Sequence, residues 1–180
     1  MTAFTILPET GAFDSAIDDL HAEAFGPGRF TRAAFRVREQ GPHDRGLSFV
    51  AVAQDGEKLL GSVRMTWIET AGTGARGLLL GPLAVKDGLK GKGIGKALMR
   101  KAVDTARDAG AAYILLVGDR PYYWPFGFET LPRGQVQMPG PVDPARFLVC
   151  ALQPDGARMP ASAIFFKSSL GTFVSSNSFL

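Results

Sequence analysis

The chain has 180 residues, 46% apolar and 21% charged, with a formal net charge of +3. That balance excludes a disordered or collagen-like chain, and the length suits one domain that folds without a disulfide or metal. A single cysteine, Cys150, excludes an internal bridge and any CxxC site, His21 and His43 belong to no metal-ligand motif, and the charge is too small to argue nucleic-acid binding. No apolar run is long enough to span a membrane, and the N-terminus lacks the basic and apolar regions of a signal peptide, so the expected location is cytoplasmic.

Phe13, Ile17, Leu20 and Ala24 recur at helical spacing, which predicts an amphipathic helix over residues 9–24, stopped by Phe25-Gly26-Pro27-Gly28. A shorter helix is predicted over 30–38, with Thr31 as its N-cap. Residues 47–53 and 59–68 read as the two arms of a hairpin, turned at Asp55-Gly56. A polar, glycine-rich connection over 70–77 leads to an apolar strand over 78–85. That strand should bulge at Gly81-Pro82, because proline cannot donate to a ladder. A loop over 86–92 precedes the clearest helix, 94–109, whose buried face is Ile94, Leu98, Ala102, Val103 and Ala106. Gly110 sits where a left-handed C-terminal cap belongs. A buried strand over 113–117, a helical turn over 121–126 closed by Gly127, and strands over 146–152 and 163–166 complete the order, with residues 153–161 as a loop. This is a mixed α/β domain around one sheet, expected to fill residues 1–170, with 171–180 as a tail.

Residues 80–95 carry the chemistry. A strand ends, a basic glycine-rich loop comes next, and a helix begins. Gly91, Gly93 and Gly95 let the backbone approach a ligand, and the loop feeds a helix N-terminus whose unpaired N–H groups favour an anion. The implied ligand is a phosphate or pyrophosphate. A Walker loop fails because position 90 is Lys and Ala97 follows Lys96. A GxGxxG fingerprint fails because Lys96 and Leu98 stand where its last glycine belongs.

The pattern that fits is Gln/Arg-x-x-Gly-x-Gly/Ala, with Lys90 in the first position. This resembles the GNAT superfamily of N-acetyltransferases, whose loop of this kind binds the pyrophosphate of acetyl-coenzyme A. The preceding Pro82-Leu83-Ala84-Val85 resembles the family's bulged fourth strand. Tyr123, with three residues between it and Gly127-Phe128, resembles its signature after the fifth strand. Val117-Gly118-Asp119, together with Tyr122-Tyr123 and Phe126-Gly127-Phe128, is similar to a bacterial branch of predicted acetyltransferases. The resemblance implies a GNAT-like sheet of six to seven strands that splays after the bulged fourth strand, flanked by helices. It implies acetyl-coenzyme A as cosubstrate, no metal, and direct transfer to a primary amine on a small molecule or peptide. Leu83 and Val85 would offer backbone groups to the acetyl carbonyl and the pantetheine arm. Lys90, Gly91, Lys92, Gly93, Ile94 and Gly95 would supply amides to the pyrophosphate, and Lys96 charge. Lys90 departs from the usual Gln or Arg: it keeps a charge but not a planar fork.

Acetyl transfer requires a neutral amine, a polarised carbonyl, close positioning and a proton for the departing thiolate. Tyr123 is the candidate acid; an interfacial core tyrosine is the competing reading. Tyr122 reads as packing or pocket wall. No carboxylate stands in 78–85, so the base is open between a water chain, Asp119, Glu69 and His43. Asp119 also reads as a helix cap, His43 as an exposed loop residue, and His21 as partly solvated. Cys150 reads as a small buried hydrophobe. Phe25, Phe30, Phe35, Trp67 and Trp124 read either as an aromatic acceptor pocket or as core. Lys90 and Lys92 read as phosphate contacts, Arg100 and Lys101 as solvated or near the 3′-phosphate. The competing class is a non-catalytic module of the same fold that senses acyl-coenzyme A. No membrane or nucleic-acid partner is expected, and the commonest assembly for such a domain is a homodimer.

Overall fold

The computed structural model describes residues 3–28, 33–39, 41–54, 56, 58–70, 75–153 and 162–165. The strands are β1 (Phe4–Pro8), β2 (Phe49–Ala53), β3 (Leu59–Thr70), β4 (Arg76–Val85), β5 (Tyr113–Val117), β6 (Glu129–Thr130), β7 (Val136–Gln137), β8 (Phe147–Ala151) and β9 (Ser162–Phe165). The helices are α1 (Asp14–Phe25), α2 (Ala33–Arg38), α3 (Ile94–Asp108) and α4 (Arg120–Tyr123). The main sheet runs β1-β2-β3-β4-β5-β8-β6, with β9 pairing β3 and β7. Pairing is antiparallel except between β4 and β5 and between β7 and β9, so the sheet is mixed.

Two irregularities in β4 shape the molecule. The register steps from Val63↔Leu83 to Met65↔Leu80, which gives β4 one extra residue at Gly81-Pro82, opposite Arg64. This is the bulge expected where proline removes a ladder donor. The second is a splay. β4 and β5 pair only at Leu78↔Ile114 and Leu79↔Leu115, while β4 runs on to Val85 and β5 to Val117. Beyond that point the two strands part and leave a gap.

Alternation along the strands divides the core. Leu78, Leu80, Ile114 and Leu116 pack with Ile94, Leu98, Met99 and Ala102 of α3 on one face. Leu79, Tyr113 and Leu115 pack with Val37 of α2 on the other. Val50, Val52 and Ala84 pack with Ile17 and Leu20 of α1. The α3 sequence places these residues on one stripe, which is why it docks along the sheet. Gly110 takes the left-handed conformation beyond its end, with φ +75°.

Some elements differ from expectation. α1 begins at Asp14, after a 3-10 turn over Gly11–Phe13, and residues 4–8, for which no element was predicted, form a strand. Ala24 is exposed, and His21 takes its place on the buried face. α2 begins at Ala33, and Thr31, the expected N-cap, lies outside the described residues, as do 154–161 and 166–180. Among the described residues, no helix is long and apolar enough to cross a membrane.

Candidate active site

The loop between β4 and α3 is closed by Leu89 N–H to the Lys86 carbonyl (3.1 Å) and Lys92 N–H to the Leu89 carbonyl (3.3 Å). Gly91 and Gly93 have φ of +80° and +88°, a region that side chains beyond glycine disfavour. Gly93 is the N-cap of α3 and supplies no side-chain cap. Ala97 N–H donates to the Gly93 carbonyl at 3.0 Å, so the N–H groups of Ile94, Gly95 and Lys96 precede that first helical turn. Ile94 is buried, so only its backbone can meet a ligand. Lys90, Lys92 and Lys96 are exposed around the loop, and Lys90 Nζ is paired with Asp87 at 2.5 Å. Lys101 lies 5.4 Å from the Phe49 ring centre, which gives it a local partner instead of a purely solvated position.

Two adjacent tyrosines join this loop to a cavity. A Cβ built on Gly95 would meet the Tyr122 hydroxyl at 2.5 Å and Val85 at 3.5 Å, so Tyr122 lies over the first turn of α3. Tyr123 stands edge-on to Tyr122, with ring centres 4.8 Å apart, and packs on Phe128 at 6.0 Å. Its ring fills the space a side chain at Gly118 would need. Burial, with Tyr122 and Asp119 nearby, pushes the Tyr123 hydroxyl up to about 12, so it stays protonated at neutral pH. That hydroxyl makes no hydrogen bond among the described residues.

Tyr123 lines a cavity of about 790 Å³ with Leu80, Gly81, Pro82, Leu83, Leu116 and Val117, the residues at the splay. This is the size of a small-molecule site. Its other walls come from α1 (Asp18, His21, Phe25), α2 (Ala33, Ala34, Phe35, Arg38), β3 (Arg64), the loop residues Pro42 and His43, and the stretch before β8 (Pro141, Val142, Asp143, Arg146). Arg38 reaches the β4 bulge, its guanidinium 3.4 Å from where a Cβ on Gly81 would stand.

One wall is built on a buried carboxylate. The Glu9 side chain is fully buried. Arg64 grips both its oxygens, Nε at 3.1 and 3.0 Å and a terminal nitrogen at 2.9 Å, and His43 Nε2 donates to it at 2.7 Å. Arg45 reaches it at 3.4 Å while forking onto Asp14 at 2.8 Å. Burial alone would raise the Glu9 carboxyl, but the hydrogen bonds from His43 and Arg64 hold it below its usual range.

The fold brings some of the expected residues together and separates others. Tyr123 and Leu83 line the cavity, whereas Val85 and Gly95 lie together on the Tyr122 side. His43, expected as an exposed loop residue, is half-buried in the cavity wall. His21, expected to be partly solvated, is buried, with Nε2 3.1 Å from Ser62 Oγ in a hydrogen bond. Asp119 precedes α4 but makes no side-chain cap; its carboxylate accepts from Arg146 at 3.0 Å. Glu69 pairs across the ladder with Arg76 and does not line the cavity. Phe25 and Phe35 are cavity walls. Trp67 instead donates to Asp44 at 2.9 Å, and the exposed Trp124 donates to Glu129 at 2.9 Å. Phe30 lies outside the described residues. Cys150 is buried on β8 away from the cavity, where burial pushes its thiol up. Glu9, Arg38 and Arg64 were not expected. The first two carry no motif, and Glu9 is recognisable only once Arg64, far along the chain, is placed beside it. Among the described residues, no group of His, Cys, Asp or Glu could hold a metal ion.

The same architecture recurs in known proteins. The chain is 27% identical over 139 residues to the uncharacterized N-acetyltransferase YhbS of Escherichia coli K12, covering 77% of this chain and 81% of YhbS. The crystal structure of E. coli YhbS in complex with CoA superposes with a TM-score of 0.76 at 23% identity, covering 91% of this chain and 89% of that one. A GNAT family acetyltransferase from Brucella melitensis, in complex with acetyl-CoA, gives a TM-score of 0.67 at 25% identity, covering 95% of this chain and all (100%) of the other. The sequence pattern of the acetyltransferase (GNAT) family runs from residue 15 to residue 128, through the bulged strand, the glycine loop, α3 and the Tyr123 segment, and the chain belongs to that family.

Proposed function

We propose that the protein is an N-acetyltransferase that moves the acetyl group of acetyl-CoA directly to a primary amine. The observation that carries this reading is a convergence at the splay: Tyr122 lies over Gly95 at the end of the glycine loop, and Tyr123, edge-on to it, lines the cavity with the β4 and β5 residues that part there.

The residues suit the cosubstrate. The N–H groups of Gly91, Gly93, Ile94, Gly95 and Lys96 would hold the pyrophosphate, with Lys90, Lys92 and Lys96 adding charge. Asp87 competes for Lys90. Past Leu79 and Leu115, no β4–β5 pairing takes up the β4 edge. Backbone groups of Leu83 and Val85 would there meet the acetyl carbonyl and the pantetheine arm. Acetyl-CoA supplies an acyl group on a good leaving sulfur. A backbone N–H directed at the carbonyl oxygen would stabilise the charge that develops on it. Tyr123 would donate a hydrogen bond to the leaving sulfur. Because burial holds its hydroxyl up at about 12, above a thiol's roughly 8.5, it would act as a hydrogen-bond donor to the developing thiolate and keep its own proton.

The test is acetyl-CoA-dependent thiol release across a panel of alkylamines, amino acids and peptides. Turnover with any member supports the reading. Tight acetyl-CoA binding without thiol release for any amine would point to the sensing module instead.

A further inference from the structure

Resting on the transfer reading, we propose that His43, oriented by the buried carboxylate of Glu9, is the general base that takes the proton from the acceptor amine. A base is needed because a free alkylammonium has a pKa near ~10 and its nitrogen cannot attack while protonated. β4 carries no carboxylate from Arg76 to Val85. Among the described residues, the two carboxylates that line the cavity are poorly placed for the task. Asp143 already accepts from Ala145 N–H at 2.9 Å, and the Asp18 side chain is 76% exposed to solvent. Of the two imidazoles, His21 is buried and bonded to Ser62.

His43 differs in three respects. Its Nε2 lies 2.7 Å from a carboxylate oxygen, which can only accept. Nε2 therefore carries the hydrogen, and the neutral ring holds its lone pair on Nδ1. Nδ1 has no hydrogen-bond partner among the described residues, and the ring lines the cavity. Second, the loop is fixed. Asp44 N–H donates to the Met65 carbonyl at 2.7 Å, which holds His43 beside β3, and Met65 faces Leu80 across the ladder at the bulge. The imidazole and the bulge residues Gly81, Pro82 and Leu83 thus border one cavity. Third, Arg64 alone already neutralises Glu9 with a two-oxygen grip. His43 is not needed to offset that charge, whereas Glu9 is what sets the tautomer and angle of His43. Glu9 is a positioning residue, acting through the imidazole.

Atoms and charges balance in the resulting step. The acceptor ammonium gives one proton to His43 Nδ1. The freed nitrogen forms a bond to the acetyl carbon, and the carbon–sulfur bond breaks with its electron pair on sulfur. The second nitrogen proton ends on that sulfur, and His43 returns its proton to water.

The test compares an alkylamine accepted by the wild-type protein with the alkoxyamine of the same length, whose nitrogen is already neutral at pH 7. His43→Gln is expected to lower kcat for the alkylamine by about 10²–10⁴-fold, to spare the alkoxyamine, and to leave acetyl-CoA binding unchanged. Imidazole added to His43→Ala is expected to restore alkylamine turnover, and Glu9→Gln to lower kcat more than it raises KM. Equal loss on both nucleophiles, no rescue by imidazole, or full activity of His43→Gln beside an inactive His21→Gln would each overturn the assignment. Wild-type protein that binds acetyl-CoA but releases no thiol with any amine overturns the transfer reading together with it. Alkylamine turnover that survives in His43→Gln overturns the base alone.

Discussion

Tyr123 is held in place by what its neighbours lack. A Cβ on Gly118 would lie 2.2 Å from a ring carbon of Tyr123, closer than atoms can pack. Gly118→Ala is therefore expected to displace the ring, costing about 1–3 kcal/mol of stability and lowering kcat. Tyr123→Phe keeps the ring and removes only the hydroxyl. It is expected to reduce turnover while leaving acetyl-CoA affinity and the urea midpoint nearly unchanged; unaltered turnover would remove the hydroxyl from the mechanism. Glu9 makes a different kind of prediction. Its carboxyl is held below the ordinary value of 4.5, so the stability it contributes is complete above that pH and is lost as pH falls through the lower, folded value. Glu9→Gln is expected to cost about 3–5 kcal/mol at neutral pH, because it leaves Arg64 and Arg45 short of a buried partner. It is also expected to flatten the fall of the urea midpoint in acid. A variant with the wild-type acid slope would show that Glu9 is not the group being titrated.

At the scale of elements, α3 couples fold to site. Its apolar stripe fixes it to the sheet, and its capless, glycine-led start leaves N–H groups facing the loop. Gly93→Ala is expected to cost about 1–2 kcal/mol, since φ is +88° there, and to weaken acetyl-CoA binding in the same titration. α3, β5 and the bulge in β4 were legible because each depends on local signals: a long helical period, a short apolar run, a proline in a strand. The glycine loop and the Tyr123 segment could be picked out as candidates because their spacing stands in one stretch of sequence. β1 was not, since Phe4–Pro8 gains its strand identity from pairing with β2 more than forty positions away. Two-residue strands such as β6 and β7 are too short to show a period. Glu9 and His43 became a pair only when β1, β3 and the 41–47 loop met. His21 joined the buried face of α1 because Ser62 supplies a hydrogen-bond partner there.

For the whole molecule, the splay is what gives an α/β sheet its candidate site. The cavity at that gap is lined by residues from Asp18 in α1 to Arg146 before β8, so distant stretches of the chain meet there. A ligand that spans it should therefore stabilise the global fold. Acetyl-CoA at about a hundred times its Kd is expected to add about 2.7 kcal/mol, raising Tm by about 5–10 °C for a chain of this length. The most direct test of the central claim is calorimetric titration of the full chain with acetyl-CoA, with ATP and NAD as controls. Saturable binding of acetyl-CoA alone, weakened by Gly93→Ala, is the predicted result. No binding, or equal binding of all three nucleotides, would contradict the assignment of the loop and the splay as an acetyl-CoA site.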